Sequence, residues 1–498
     1  MDVLIQSIIY TFSPLSLLLI VAGTAYGVTV GALPGISSSM AVVLLLPFTY
    51  GMQPVHAIVI LVAVYIGSTC GGAIPAILIR TPGTPEAVCT TWDGYPMALK
   101  GKAGRALGLA ISSSSFGGIY SAIVMILTAP VLAVIALNFQ SAEYFTLALL
   151  GLSCITSIGS KNQLKAIFGC LLGLLLSTVG LDMINGVHRF TYGSPFLMNG
   201  INYIPVMIGS FAFAEVFKII EEGKKAGDID ETILNSKVSM EMIKLKDFFS
   251  KKVTLIKSAL VGTMIGIIPA AGGTIAALIA YSEAVRSSKT PEEFGKGMEE
   301  GVIAPETANT VAAGASMVPT MALGIPGSPT CAVIMAAFMI HGLRPGPLLM
   351  KDQPILLNVI FFGIIIASLL LFIFGRFVTL QFARILKLPY PLLGTLIIIL
   401  GIIGAYAIHN SFSDMIVAVV FCAVGYFFDK FKFSNSSLIL GLILGGIAEE
   451  SLRKQLIVSD GSLIAFVTRP IALVVLLFTI GAFLSPVIRD LRKKRKAQ

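Results

Sequence analysis

Two Pro-Gly clusters flanked by hydroxyls hold the residues of this 498-residue chain best suited to binding chemistry. Thr81-Pro82-Gly83-Thr84-Pro85 sits in GGAIPAILIRTPGTP, and Pro326-Gly327-Ser328-Pro329 in GASMVPTMALGIPGSP. Pro75 recurs as Pro319 and Pro82 as Pro326, the same shift of 244 residues. Each cluster follows an apolar segment with its own Gly-x-x-Pro, ending at Pro34 in one case and Pro269 in the other, a shift of 235. The second copy has therefore gained nine residues in between. Proline and glycine interrupt helices. Paired interruptions in two hydrophobic halves point to a transporter binding site.

The chemistry follows from backbone groups set free by such breaks. Inside a bilayer every N–H and C=O needs a partner, so broken backbone persists only where it is buried in protein or lines a polar cavity. A helix starting after a break aims free N–H groups and the positive end of its dipole at the gap, which suits a carboxylate. Carbonyls and hydroxyls at the same place suit a small cation. The candidate binding residues are Pro34, Gly35, Ser37, Ser38 and Ser39 in the first break and Thr81, Pro82, Gly83 and Thr84 in the second. Gly272, Gly273 and Thr274 belong to the third, and Pro326, Gly327 and Ser328 to the fourth. Na+ is expected at carbonyls and hydroxyls near Ser38, Thr84, Thr274 and Ser328. A single break would be read as a kink between packed helices; repetition at one spacing favours the site.

Few charges lie near the breaks. Arg80 precedes Thr81 and has Gly324 as its counterpart; it is either a carboxylate ligand or a snorkelling charge. Asp93 reads as a turn cap. Glu306 and Asn309, in APETAN, lead toward the fourth break; Asn309 is counted among the candidate substrate- or ion-binding residues, and Glu306 is a functional suspect or a helix cap. There is no G-x-x-x-x-G-K-[ST], H-E-x-x-H or G-x-S-x-G, and the four histidines are far apart in sequence. The six cysteines are scattered and form no metal or redox motif, so neither a catalytic residue nor a cofactor is predicted.

The elements that must position these residues are membrane helices. The chain is 56% hydrophobic and 12% charged, half the charge of an average soluble domain. Apolar stretches recur from 15–33 to 463–484 and imply about 11–14 membrane elements, some broken or re-entrant. No cleavable signal peptide is visible. The predicted class is an all-α polytopic membrane protein with two pseudo-symmetric, inverted repeats containing broken helices or re-entrant hairpins. Residues 1–220 form membrane repeat 1, 221–255 a cytoplasmic linker, and 256–498 membrane repeat 2 with a basic cytoplasmic C-terminal tail. No Lys or Arg precedes Arg80, whereas nine lysines fall within 218–257 and six basic residues within the last ten. The positive-inside rule places the linker and tail in the cytoplasm and inverts the repeats. The same rule accounts for the basic clusters without nucleic acid.

Beyond these patterns, the chain resembles the large membrane subunit of tripartite tricarboxylate transporters. The matching stretches are GALPGISSSMAVVLLLPFTYG (31–51), YIGSTCGGAIPAILIRTPGTPEAV (65–88), WDGYPMALKGKAGRALG (92–108), FGKGMEEGVIAPETAN (294–309) and VPTMALGIPGSPTCAVIMAAFMIHGLRPGP (318–347). The resemblance implies a bacterial inner-membrane permease with a small membrane partner subunit and a periplasmic solute-binding protein. It implies uptake of a di- or tricarboxylate driven by Na+ or H+ without ATP, and by analogy an elevator-like movement. The alternatives are a partner-independent anion permease or channel, and an intramembrane enzyme acting on a lipid-linked substrate through Asp93 or Glu306.

Overall fold

The computed structural model describes residues 2–33, 36–158, 163–182, 184–221, 243, 245–269, 272–385, 390–409 and 411–481. Pro34, Gly35, Ala270, Ala271, most of the linker and the basic tail lie outside them. The described residues are overwhelmingly helical. One small antiparallel pairing, Gly180–Leu181 against His188–Arg189, departs from the all-α expectation.

Five described helices are long and apolar enough to cross a membrane: Pro14–Gly31, Pro54–Ile79, Thr90–Ala136, Pro354–Phe374 and Phe412–Lys430. This is fewer than the roughly 11–14 elements expected from the sequence. Shorter apolar helices such as Ser38–Thr49 and Pro329–Ile340 account for part of the difference, because the breaks divide the apolar stretches. The stretch 307–343 falls within Glu300–Ala315, Met317–Leu323 and Pro329–Ile340. The stretch 256–281 falls within Lys252–Ile267 and Gly272–Ser287. Leu18, Leu127 and Met264 are among many large apolar side chains left exposed, as a lipid-facing surface requires.

In the two halves, the segments that carry the breaks follow a common order of elements. In the first, an outer helix Pro14–Gly31 lies on a buried inner helix Pro54–Gly71, followed by a stub Ala73–Ile79. In the second, an outer helix Lys252–Ile267 lies on a buried inner helix Glu300–Ala315, followed by a stub Met317–Leu323. Both stubs have seven residues, occupy positions 244 apart, and end in a left-handed residue: Arg80 at φ 56° and Gly324 at φ 70°.

Glycines fix the contact within each pair. A Cβ on Gly27 would strike the carbonyl of Val64, and one on Gly31 the carbonyl of Ser68. In the second half a Cβ on Gly262 would strike the carbonyl of Ala308, and one on Gly266 that of Ala312. Every member of the second set is the positional equivalent of a member of the first. Small residues let membrane helices approach backbone to backbone, where dispersion contacts replace the missing hydrophobic drive.

A further wall comes from the helical segment 203–221, which includes a π-helical turn at Ile208–Phe213, packed on Phe412–Lys430. Gly209 abuts the carbonyl of Ala418, and Gly425 abuts the backbone of Ser210.

Candidate functional site

All four breaks border one cavity of about 730 Å³. The first contributes Ser37 and Ser39, the second Pro82, Gly83 and Thr84, the third Gly272, Gly273 and Thr274, and the fourth Ser328. The opposite wall carries Ser210 and Phe211 from the π-helical turn, with Asp429 and Asn435. Glu215 and Lys218, 3.4 Å apart, complete the lining, and Lys218 is 40% exposed at the rim.

The breaks begin helices in three cases. Ser37 caps Ser38–Leu45, its hydroxyl accepting from the Met40 N–H at 3.2 Å. Ser328 caps Pro329–Ile340, accepting from the Cys331 N–H at 3.1 Å. Gly272, at φ +69°, opens the helix to Ser287 in a conformation that favours glycine. The second break differs from expectation. Thr84 is followed by a single 3₁₀ turn, Pro85–Val88, before the helix Thr90–Met97. A one-turn segment with proline first supplies little dipole, so Thr84 contributes its side chain and carbonyl rather than a helix end.

The Pro-Gly amides are also engaged. The Gly83 N–H donates to the Gly72 carbonyl at 3.0 Å, and the Gly327 N–H to the Thr320 hydroxyl at 3.1 Å. These glycines shape the site by closeness. A Cβ on Gly83 would strike the Gly31 carbonyl and the Gly72 Cα, and one on Gly327 the backbone of Ser316.

The structure brings the halves together through side chains. The hydroxyls of Ser39 and Thr330 lie 3.1 Å apart, and Tyr65 places its hydroxyl 3.1 Å from Ser328 and 3.4 Å from Ser316. Ser38 is fully buried behind the lining, its hydroxyl without a partner. Asn309 is buried under Gly273, with neither its amide oxygen nor its nitrogen hydrogen-bonded. A buried polar group without a partner costs about 1–3 kcal/mol, so these two side chains beside the cavity are places where a water or a ligand can be held.

Arg80 is not brought to the cavity. It is exposed, and its guanidinium lies 5.9 Å from the centre of the Tyr95 ring. Thr81 is half-buried beside it and donates to the Ile79 carbonyl at 3.3 Å. Pro326 and Gly327 are buried behind Ser328. Asp93 has a structural role: its carboxylate accepts from the N–H groups of Gly295, Gly297 and Met298 at 2.8–2.9 Å and from the Tyr281 hydroxyl at 2.8 Å. Glu306 accepts from Thr90 at 2.5 Å and from Ser114 at 3.2 Å, linking the two halves inside the protein.

Sequence reasoning passed over Glu86, Tyr65 and Asn435. Glu86 lines the cavity with one oxygen buried and unpartnered. The signal for it was available: an acid within two residues of a break in an apolar region. Asn435 donates to the carbonyls of Ser210 and Gly425 and to Asp429, at 3.1–3.3 Å, and only the fold reveals that role.

Comparison with known proteins identifies the family. Residues 17–440 match the tripartite tricarboxylate transporter TctA family. An uncharacterized 52.8 kDa protein in the TAR-I ttuC' 3' region of Agrobacterium vitis is 35% identical over 487 residues, 97% of this chain and 95% of that protein. An uncharacterized protein in the TAR-II ttuC' 3' region of the same organism is 37% identical over 238 residues, 47% of this chain and 97% of its own length. No solved structure matches. The extent of these matches makes the chain a member of the tripartite tricarboxylate transporter TctA family, a membrane component of a transport system.

Proposed function

We propose that the chain is the translocating subunit of a secondary transporter that imports a di- or tricarboxylate with a cation gradient. The observation carrying this reading is the convergence of four broken-helix segments, two from each half, on one cavity. At about 730 Å³ the cavity is of the size that holds small molecules. The N-termini at Ser38, Gly272 and Pro329 supply N–H groups for carboxylate oxygens, and Ser39, Thr274 and Thr330 supply hydroxyls. Na+ or H+ is the proposed coupling ion, and Ser38, Thr84, Thr274 and Ser328 carry oxygens suited to Na+.

The rim at Lys218 leads into the lysine-rich stretch ending at Lys257. The positive-inside rule sets that end in the cytoplasm, so the cavity is read as facing inward. The shared build of the two halves supports the inverted-repeat reading, with each half entering the bilayer from the opposite side. A periplasmic solute-binding protein and a small membrane subunit are the proposed partners, in an inner membrane, with the C-terminus cytoplasmic.

Reconstitution tests this. Proteoliposomes with the chain and both partners should accumulate labelled citrate when a Na+ or proton gradient is imposed, and should fail without the binding protein. Gradient-independent flux through the chain alone would replace this reading with a channel.

A further inference from the structure

We infer that Glu86, Asn309 and Thr84 form a binding site for a small monovalent cation beside the cavity. Its role in coupling rests on the transport reading above; the site itself rests on a comparison of the two halves.

The shift of 244 pairs Tyr65 with Asn309, Gly72 with Ser316, Thr84 with Ser328 and Glu86 with Thr330. The shift of 235 pairs Ser38 with Gly273 and Ser39 with Thr274. On one side of the cavity Tyr65 reaches across to Ser328 and Ser316, and Ser39 to Thr330, all within 3.1–3.4 Å. Uncharged hydroxyls there satisfy one another. The reciprocal combination is filled differently. Asn309 replaces the longer Tyr65, glycines replace Ser316 and Ser38, and a carboxylate replaces the Thr330 hydroxyl. What remain are both polar atoms of Asn309 without a partner, and the Thr84 hydroxyl and one oxygen of Glu86 with no close hydrogen bond beyond their own approach to each other, all buried.

Asn309 and Glu86 meet at Gly273. A Cβ on Gly273 would run into the Asn309 amide oxygen and come within 3.2 Å of the Glu86 Cγ. Thr84 lies two residues before Glu86 and closes on Gly72. Asn309 and Thr84 are each 1% exposed. A carboxylate, an amide carbonyl and a hydroxyl are the hard oxygen donors that a small alkali cation takes. The carboxylate also matches its single charge.

The placement supplies a coupling rule. Glu86 faces the cavity that would receive the anionic substrate, and an unpaired carboxylate there repels it. A bound cation cancels that charge, so substrate binding follows cation binding.

Thermal melting of the purified chain in detergent tests the site, with NaCl replacing choline chloride at constant ionic strength. Wild type should rise in Tm with Na+ along a saturable curve. Glu86→Gln and Asn309→Ala should each raise the half-saturating Na+ at least tenfold, and Glu86→Asp, which keeps the charge, should shift it less. Gly273→Ser should displace the Asn309 oxygen and also weaken the response. Equal Tm in Na+ and choline for wild type overturns the proposal, as does an unshifted Na+ midpoint in Glu86→Gln. A response to pH alone, lost in Glu86→Gln, also overturns it and assigns the position to a proton. Citrate binding, measured by calorimetry at saturating Na+, separates the two readings. Citrate binding without a Na+ response overturns the cation site and leaves the carboxylate site standing. A Na+ response without citrate binding does the reverse.

Discussion

Ser39 and Thr330 stand 291 residues apart in sequence, yet their hydroxyls lie 3.1 Å from each other on the cavity wall. The pair joins the first break to the helix that follows the fourth, so the two halves meet where a ligand would be held. Ser39→Ala or Thr330→Val removes one hydroxyl that can turn toward a carboxylate. A neutral hydrogen bond is worth about 0.5–1.5 kcal/mol, so citrate KM is expected to rise roughly three- to tenfold in reconstituted vesicles. An unchanged KM in both variants would remove this wall from the binding surface.

Glycine at 83 and 327 is required by closeness to neighbouring backbone. Gly83→Ala must push against Gly31 and Gly72, and Gly327→Ala against Ser316. Backbone cannot yield as the end of a side chain does, and overpacking costs about 1–3 kcal/mol. Both variants should lose most uptake and melt at lower temperature than wild type. Full uptake by either, at wild-type expression, would show that the breaks tolerate being spread.

Arg80→Gly provides the contrasting case. Arg80 is exposed, outside the cavity, and held at φ 56°, where a residue with a Cβ is strained by about 1 kcal/mol. Its counterpart is already glycine. The substitution should leave citrate KM within about twofold and Tm undiminished, the strain relief offsetting the entropy that glycine adds to the unfolded chain. A tenfold KM increase would return Arg80 to the binding site.

Asp93 carries four donors, three of them N–H groups of the loop ahead of the helix Glu300–Ala315. Asp93→Asn sets an NH₂ where an acceptor is needed or turns its single oxygen to only part of the set. A loss of about 1–3 kcal/mol is expected, with faster hydrogen exchange at 295–298. Wild-type exchange there would refute the clamp.

The Gly180–Arg189 hairpin is tied to the helix Asn435–Val458 by acids and arginines. Asp182 accepts from Arg453 at 2.7 Å and from the N–H groups of Ile184 and Asn185, and Arg189 pairs with Glu449. The Arg453 hydrogen bond, aided by those N–H groups, holds the Asp182 carboxyl down at about 2, against about 3.9 for an unperturbed Asp. A depressed pKa contributes stability in full above about pH 4, and that contribution fades as pH falls toward 2. Pepsin should therefore cut this hairpin faster in Asp182→Asn than in wild type at pH 4, and the difference should shrink as pH falls through 2. Equal cutting throughout would mean that Asp182 does not secure the hairpin.

The sequence made the breaks legible because proline and glycine act locally, whatever surrounds them. The shift of 244 paired Pro75 with Pro319 and Pro82 with Pro326 without reference to contacts, whereas the stubs and their left-handed ends came only from the fold. The opposing wall was not legible. Ser210, Phe211 and Asn435 sit in helices of ordinary composition, and they come together through the close contacts at Gly209 and Gly425 and the hydrogen bonds of Asn435 to Ser210 and Gly425, which the fold alone reveals. The 3₁₀ turn after Thr84 was missed because Pro85 suits the first position of either helix type. Glu86 was overlooked for a different reason. Its counterpart at the shift of 244 is Thr330, so the repeat that reveals the breaks carries no signal for an acid there.

The glycine contacts between outer and inner helices carry one more consequence. Backbone pressed on backbone leaves no side chains to re-pack, so each pair is expected to move as a single stiff piece in the proposed transporter. Slippage during turnover would then fall elsewhere, along the seam where Ser38–Leu45 and Pro329–Ile340 face the π-helical turn and Asn435. Disulfide staples across that seam should halt transport, whereas staples within a pair should leave it running.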